Sequence, residues 1–276
     1  MKDKIIVGIF IFVVVIFLFI IYTNKSKQES NYPFEIYFFQ AGKADAIVLS
    51  KNGKYMMIDT GYDTLSEEIL SYFKHKNITR LEYLVITHFD KDHVGSASTV
   101  IRSIEIGEVL QSNVPKESEY YNNYISALKE KNISPHTVSG DYVVTLDDME
   151  VIINGPEKIY DKNESNNSSL IVSVIDHNNK FLFMGDSQNA RIKDYLQTSP
   201  VEYDFLKVPY HGHYLKRLND FLERNTISSA VITSSLEELE DEETISMLKK
   251  YSIQYYLTRN GKIRVLSNGN DIIIKQ

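Results

Sequence analysis

The chain contains no cysteine. That absence excludes disulfide bonds and thiolate metal ligands, and it is compatible with either side of a bacterial membrane. Acidic residues outnumber basic ones: the chain has 37 Asp and Glu and 30 Lys and Arg, which gives a formal charge of −7. This balance argues against a broad basic surface for nucleic acid, although a local patch stays compatible with it. Internal repeats and long low-complexity segments are also absent from the 276 residues.

One long apolar run is present, from Ile5 to Tyr22. As a helix it measures roughly 27 Å, just enough to span the hydrocarbon core of a bilayer. No small-x-small cleavage site follows, so we predict an uncleaved anchor, with a removed signal peptide as the alternative. Lysines flank the run on both sides, so the positive-inside rule does not fix its orientation.

The lack of cysteine favours export of the remaining chain and excludes a lipoprotein anchor. We therefore predict a single-pass protein of the cell membrane. Residues 1–32 would form the anchor and a polar linker, and residues 33–276 an extracytoplasmic domain.

Beyond Pro33, hydrophobic periodicity predicts more strands than helices. Predicted strands cover 34–39, 45–50, 55–59, 83–87, 109–111, 142–145, 150–154, 170–175, 181–184, 205–208, 230–233, 254–258, 262–266 and 271–275. Predicted helices cover 63–75, 94–104, 119–131, 214–224 and 241–251. Turns are expected at Asn52-Gly53, Asn178-Asn179, Asn260-Gly261 and Asn268-Gly269. Hairpins with interspersed helices predict an α/β fold of two sheets with helices outside.

Four side chains that can bind metal follow the strand Tyr83–Thr87 within six positions: His88, Asp90, Asp92 and His93. They fall at a strand-to-helix junction, where α/β proteins place their sites. Imidazole and carboxylate together suit a divalent metal. His88 and Asp90 can point the same way on an extended loop, whereas Asp92 and His93 would crowd them. Two neighbouring ions are therefore easier to build than one; the alternative is a solvated loop.

The run Thr87-His-Phe-Asp-Lys-Asp-His-Val-Gly95 resembles the signature of the metallo-β-lactamase superfamily. Within it, the chain is similar to the C-terminal domain of ComEC-type competence proteins, in which the usual second histidine is aspartate. The resemblance extends from about Phe34 to the C-terminus and implies an αββα sandwich, two mixed sheets flanked by helices. It also implies that Asp59 orients the metal loop from behind. Asp45, which lies between small residues in a stretch that resembles another family motif, is expected to support the loop by hydrogen-bonding its amides. Turn-forming or capping roles for these two aspartates are the alternatives.

Three later stretches resemble further motifs of the family. Asn166-Asn-Ser-Ser-Leu170 stands where most members carry a metal-binding histidine, which implies an oxygen-rich site and admits manganese beside zinc. Gly185-Asp186 matches the aspartate that bridges two metals. Leu206-Lys-Val-Pro-Tyr-His-Gly-His213 supplies His211 as a ligand. There Tyr210 replaces a substrate-facing histidine and His213 replaces a serine, so either, or neither, takes the substrate-facing role.

The resemblance implies that His88 and Asp90 hold one ion and Asp92, His93 and His211 the other, with Asp186 bridging. Asp92 and His213 are the candidate catalytic residues, and Asn167 and Tyr210 the candidate substrate-binding residues.

The expected reaction is hydrolysis of a small or envelope-linked phosphodiester by water activated between two divalent ions, zinc or manganese. One alternative is a ComEC-like DNA nuclease, which the acidic stretch Ser235–Glu243 disfavours. The other is a non-catalytic, membrane-anchored binding domain on the same fold. No feature of the sequence indicates an oligomeric state.

Overall fold

The computed structural model describes residues 31–160, 165–198 and 202–276, together with Val14 and Ile16. Contacts divide the chain into two compact units, Met1–Pro33 and Phe34–Gln276. Except for Val14 and Ile16, the predicted anchor lies outside the described residues. Among the helices that are described, none is both long and apolar enough to cross a membrane. The anchor therefore gains no support from the structure and stays a prediction.

Eight strands of the second unit form the first sheet. In spatial order they are β15 (Ile272–Lys275), β14 (Ile263–Ser267), β1 (Phe34–Phe38), β2 (Ala46–Lys51), β3 (Lys54–Thr60), β4 (Arg80–Ile86), β5 (Glu105–Gln111) and β6 (His136–Thr137). Pairing is antiparallel from β15 to β3 and parallel from β3 to β6. Asn52 and Gly53 both have positive φ in the β2–β3 turn, as predicted.

The second sheet has seven strands. In spatial order they are β13 (Gln254–Leu257), β12 (Ser229–Ile232), β11 (Phe205–Lys207), β10 (Asn179–Phe183), β9 (Ile171–Asp176), β8 (Met149–Gly155) and β7 (Gly140–Leu146). The predicted turn at Asn178-Asn179 is displaced by one residue. Asn179 already pairs with Asp176, and His177 takes the left-handed conformation with φ 57°.

Helices cover the outer faces of both sheets, with apolar clusters beneath them and a third cluster between the sheets. The first sheet carries α1 (Ser66–Lys76), α2 (Lys91–Val94), α3 (Ala97–Ser103) and α4 (Glu119–Glu130), and the second carries α5 (Asn189–Thr198), α6 (Lys216–Glu223) and α7 (Glu242–Lys250). The predicted αββα sandwich is thereby confirmed. Sequence periodicity missed α5, whose buried side includes the charged Arg191 beside Ile192 and Tyr195.

The helix predicted over 94–104 is two helices, because the chain breaks at Gly95 and Ser96. A Cβ at Gly95 would come within 2.5 Å of the Asp63 amide nitrogen, so only glycine fits this close approach. Four residues, from Thr87 to Asp90, separate the end of β4 from the short helix α2. The predicted metal residues therefore lie just beyond the carboxyl end of that strand.

Candidate metal centre

Two buried histidines are held so that each presents Nε2 to the same place. Nδ1 of His93 lies 2.8 Å from Oδ2 of Asp59, and Nδ1 of His211 lies 3.0 Å from the carbonyl oxygen of Thr233. A carboxylate and a carbonyl can only accept, so both Nδ1 atoms carry the proton. Each Nε2 atom is therefore left with a lone pair for a metal.

The Nδ1 atom of His88 is also held by an acceptor, in this case a hydroxyl oxygen. Its Nδ1 lies 3.1 Å from Oγ1 of Thr87, and that hydroxyl donates its own proton to Asp59. Within the described part of the chain, Nε2 of His88, His93 and His211 and Oδ1 of Asp186 are buried without a hydrogen-bond partner. Such atoms are rare in folded proteins. Imidazole lone pairs beside carboxylate oxygens suit a divalent cation, so these residues fit a metal centre.

Two carboxylates face the imidazole nitrogens. Oδ2 of Asp186 lies 3.1 Å from Nε2 of His211, and its Oδ1 lies 3.4 Å from Nε2 of His93. Oδ2 of Asp92 lies 3.4 Å from His211 and 3.9 Å from His93. One ligand atom from each of these four residues falls within 4.8 Å of the others. They are the set expected for the second ion together with the expected bridge.

The pair expected for the first ion lies directly beside that set. Nε2 of His88 is 3.9 Å from Oδ1 of Asp90, and the rings of His88 and His93 are 4.0 Å apart. The same Asp90 oxygen contacts the ammonium group of Lys116 at 2.7 Å and accepts from the hydroxyl of Ser165. The structure therefore brings all six predicted ligands together, while their assignment to particular ions stays a prediction.

The sequence predicted an extended loop for the metal motif, but part of the motif is helical. Asp92 and His93 lie in the first turn of α2, which begins after Asp90. The amides of His93 and Val94 both donate to the carbonyl of Asp90 at 2.9 Å. Because consecutive helical residues point about 100° apart, the turn separates Asp92 from His93. That rotation relieves the crowding expected on an extended chain.

His211 is aimed at the centre by a strained turn after β11. Tyr210 and His211 both have φ 51°, and Gly212 follows with φ 81°. Left-handed non-glycine residues are uncommon and cluster at functional sites. A Cβ at Gly212 would approach Cβ of Glu240 to 2.8 Å, so this position requires glycine. The turn is tied to the Asp186 turn, since the Tyr210 amide donates to the Gly185 carbonyl at 3.2 Å.

Asp45, predicted to support the metal loop, lies beneath the centre. It forms an ion pair with the fully buried Lys207, and its Oδ1 accepts from the hydroxyl of Thr233 at 2.6 Å. Its backbone amide donates to the carbonyl of Asp92 at 3.1 Å. The side chain thus binds a lysine and a threonine rather than the loop amides expected from the sequence.

The carboxylates make the centre favourable for added positive charge. Burial lowers the pKa of the His211 imidazole, but the facing oxygens of Asp186 and Asp92 outweigh that effect and raise it to about 9. The pKa of Asp186 is held well below its usual value, because His211 and His93 outweigh the opposing effect of burial. The electrostatics that stabilise a proton here also favour a divalent cation, whose binding would displace that proton.

Asn167, a predicted substrate-binding residue, is buried beside α5. Its side-chain carbonyl accepts from the backbone amides of Gln188 and Arg191, each at 3.2 Å. These contacts occupy the acceptor at the start of the helix. Arg191 donates to the carbonyl of Ser169 and so fixes the same loop. The structure gives Asn167 a positioning role, and contact with substrate stays a prediction.

Tyr210 and His213 lie together at the rim. Their rings are 4.8 Å apart, and Nδ1 of His213 is 3.4 Å from Oδ1 of Asp241. About a third of the His213 side chain is exposed, against none of His93. This exposure leaves a substrate-facing role open to either residue, and that role stays a prediction.

Lys207, Thr233 and Lys116 were not among the predicted site residues. Lys207 had a signal, because a lysine inside the apolar run Phe205–Val208 must be paired if it is buried. Thr233 and Lys116 come from a strand end and a loop, and no local pattern connects them with the metal motif.

Comparison with known proteins indicates one family for this chain. Residues 40–232 match the metallo-beta-lactamase superfamily. The chain is 26% identical over 221 residues to Recombination protein 2 of Haemophilus influenzae, covering 75% of this chain and 25% of that protein. It is 23% identical over 278 residues to ComE operon protein 3 of Bacillus subtilis, covering 91% of this chain and 34% of that protein. The chain thus spans about a quarter to a third of these relatives.

Among solved structures, the fold resembles that of Igni18, described as a metallo hydrolase from Ignicoccus hospitalis. The TM-score is 0.53 at 15% identity, covering 88% of this chain and 99% of that one. At this identity the likeness concerns the fold alone. The matched family covers more than half of the chain, and the αββα sandwich expected from the resemblance is present. The chain therefore belongs to the metallo-β-lactamase superfamily.

Proposed function

We propose that this protein is a metal-dependent phosphodiesterase. The observation that carries the proposal is a buried centre in which the unpartnered Nε2 atoms of His93 and His211 face Asp186, while the unpartnered Nε2 atom of His88 faces Asp90 beside them. Divalent ions bound there would supply Lewis acidity, acidifying a water molecule and polarising a phosphoryl oxygen. His88 and Asp90 would hold one ion, and Asp92, His93 and His211 the other, with Asp186 shared. Zinc and manganese both suit this donor set.

The chain's own groups prepare that chemistry. Asp59 and Thr233 fix the imidazole tautomers of His93 and His211, so that both residues present Nε2 to the centre. The side chain of Asp92 is 18% exposed, against 5% for the shared Asp186. It is therefore our candidate for holding a proton of the attacking water. His213 at the rim is the candidate proton donor to the leaving oxygen.

The surroundings of the centre favour a small or envelope-linked diester over a long polyanion. Glu240 packs against Gly212, and Asp241 binds the Tyr214 amide at 2.7 Å while facing His213. The acidic stretch therefore lies against the turn that carries His211. Without Lys2, Asp3 and Lys4, 28 Lys and Arg remain against 36 Asp and Glu. A polymer of phosphates would meet repulsion that a single phosphate near two cations would not.

A DNA nuclease is the second candidate. It is favoured by the relatives, one of which is named Recombination protein 2. Purified residues 31–276 loaded with manganese or zinc would separate the two at near-physiological salt. The substrates are bis-p-nitrophenyl phosphate, a phosphocholine diester and single-stranded DNA. We expect faster turnover of the small diesters. Processive DNA degradation with every small diester intact would replace our proposal with the nuclease, and metal binding without any turnover would favour a binding domain.

We also propose that Ile5–Tyr22 tethers this hydrolase to a membrane. The support is its length and apolar composition, and the fact that the whole sandwich lies beyond Pro33. Cell fractionation of the full chain and of residues 31–276 tests the tether, with only the full chain expected in the membrane fraction. Protease treatment of intact cells tests the proposed extracytoplasmic location. Membrane association of both forms would contradict the tether.

A further inference from the structure

Lys116 stands at the edge of the proposed first metal position. It belongs to the loop between β5 and α4, and its ammonium group contacts Oδ1 of Asp90 at 2.7 Å. The hydroxyl of Ser165 donates to the same oxygen. That oxygen is also the one that lies 3.9 Å from Nε2 of His88. One carboxylate oxygen thus faces a lysine, a serine and a proposed metal ligand at once.

An ion held between Nε2 of His88 and the Asp90 oxygen that faces it would share this oxygen with the ammonium group. Like charges on one acceptor repel, and an oxygen with two donors already bound has less electron density for a third partner. Binding of that ion is therefore opposed as long as Lys116 stays in place. The proposed ligands of the second ion have no comparable exposed cation beside them among the described residues. The lysine nearest to Asp186 there is Lys207, which is buried, lies 3.8 Å away and is paired with Asp45.

The two lysines differ in their freedom to move. Lys207 is fully buried and also donates to the Gly185 carbonyl at 3.1 Å. The side chain of Lys116 is 41% exposed. It lines an open cleft of about 740 Å³ along the loop and the first turns of α4. Lys116 therefore has space to leave Asp90, and an anion entering this side would offer it a second partner.

We propose that Lys116 is an internal competitor of the first metal ion, which releases Asp90 when an anionic phosphate group takes up its ammonium. The idea rests on the proposed function, because it needs a metal at His88 and Asp90. Competition from Lys116 lowers the affinity of the first ion below that of the second. It also couples binding of the more weakly held ion to binding of the phosphate.

The test is calorimetric titration of manganese into metal-stripped protein, with and without inorganic phosphate as the probe. We compare wild type with Lys116→Gln and Lys116→Arg, and Lys131→Gln is the control for an equal charge change at an exposed site. For wild type we expect two binding steps at least tenfold apart in affinity, with phosphate strengthening the weaker one. Lys116→Gln should strengthen the weaker step about tenfold, change the stronger step less than twofold and lose most of the phosphate effect. Lys116→Arg and Lys131→Gln should resemble wild type.

Suppose that Lys116→Gln leaves the affinity of the weaker step unchanged or lowers it, while its circular dichroism stays like that of wild type. This result would contradict the proposal that Lys116 competes with the first ion. So would an equal gain in Lys131→Gln, which would mean a general charge effect. If wild type binds two ions equally and hydrolyses a diester, the proposed function stands while this inference fails. If only one ion binds at metal excess, the two-metal function itself fails, and the inference fails with it.

Discussion

The ammonium group of Lys207 is buried beneath the candidate metal centre in an ion pair with Asp45. It also donates to the carbonyl of Gly185 at 3.1 Å, next to the proposed bridging Asp186. Asp45 precedes β2 in the first sheet, and Lys207 ends β11 in the second. One buried cation therefore holds both sheets and the Asp186 turn in register beneath the centre.

Replacing Lys207 with methionine should strongly destabilise the metal-free protein. The change keeps the length of the side chain but leaves Asp45 buried without its cation. Breaking a buried pair in this way costs about 3–5 kcal/mol. Urea denaturation measures the loss of unfolding free energy. The control is Lys54→Met, whose partner Glu82 lies 3.5 Å away in a pair with side chains 52% and 26% exposed; there we expect a loss of at most about 1 kcal/mol. Equal losses of unfolding free energy in the two variants would show that the buried pair stabilises the fold no more than the exposed one.

Removing Asp186 should impair both metal positions, whereas removing His211 should impair one. Asp186 faces His93 and His211, two proposed ligands of the second ion, at 3.4 Å and 3.1 Å, and the proposal gives it to the first ion as well. Metal analysis after dialysis should give two ions for wild type, fewer than one for Asp186→Ala and about one for His211→Ala. The exposed His136→Ala is the matched control and should keep two ions. A wild-type protein that holds a single ion at metal excess would contradict the two-metal assignment.

The sequence predicted which six candidate ligands would meet: residue type and spacing single out His88, Asp90, Asp92 and His93, and motif resemblance adds Asp186 and His211. The orientation of those ligands was not. Thr233 fixes the tautomer of His211 from a strand end 22 residues later, and such a contact leaves no periodic signal. The close approach to Asp63 that requires glycine at position 95 is likewise a long-range contact, which local helix propensity cannot reveal. Local pattern thus gives the chemistry of the centre, and long-range packing gives its geometry.

Replacing Asn167 with alanine should lower the free energy of unfolding and leave substrate binding almost unchanged. Its side-chain oxygen accepts from the amides of Gln188 and Arg191 at the start of α5. Loss of such a cap costs about 1 kcal/mol. Asn167→Asp retains an acceptor oxygen and should restore much of the lost unfolding free energy. Steady-state kinetics on a small phosphodiester should show little change in KM for either variant. A large rise in KM in both, without loss of stability, would instead support the substrate-binding role inferred from the sequence.

The buried pair of Lys51 and Asp176 should make stability depend on pH. Oδ1 of Asp176 lies 2.6 Å from the Lys51 ammonium, and its Oδ2 accepts from Ser267 at 2.6 Å. Burial alone would raise the pKa of Asp176, but these hydrogen bonds outweigh it and hold the pKa below the usual value. A carboxyl group with a lowered folded-state pKa stabilises the fold above its unfolded pKa of about 3.9. That contribution is lost as the pH falls through the folded-state pKa.

Urea denaturation of the metal-free protein between pH 7 and pH 3 tests this linkage. In wild type the unfolding free energy should fall as the pH drops below about 4. Asp176→Asn should cost about 1–3 kcal/mol at pH 7, since Lys51 loses one buried partner but keeps Asp148 at 2.5 Å. Its stability should also fall less steeply with acid than that of wild type. Asp141→Asn, at an exposed position on β7, should leave both the stability at pH 7 and the acid slope close to wild type. The same acid slope in Asp176→Asn and wild type would assign the pH dependence to other carboxylates, because the mutated group can no longer titrate.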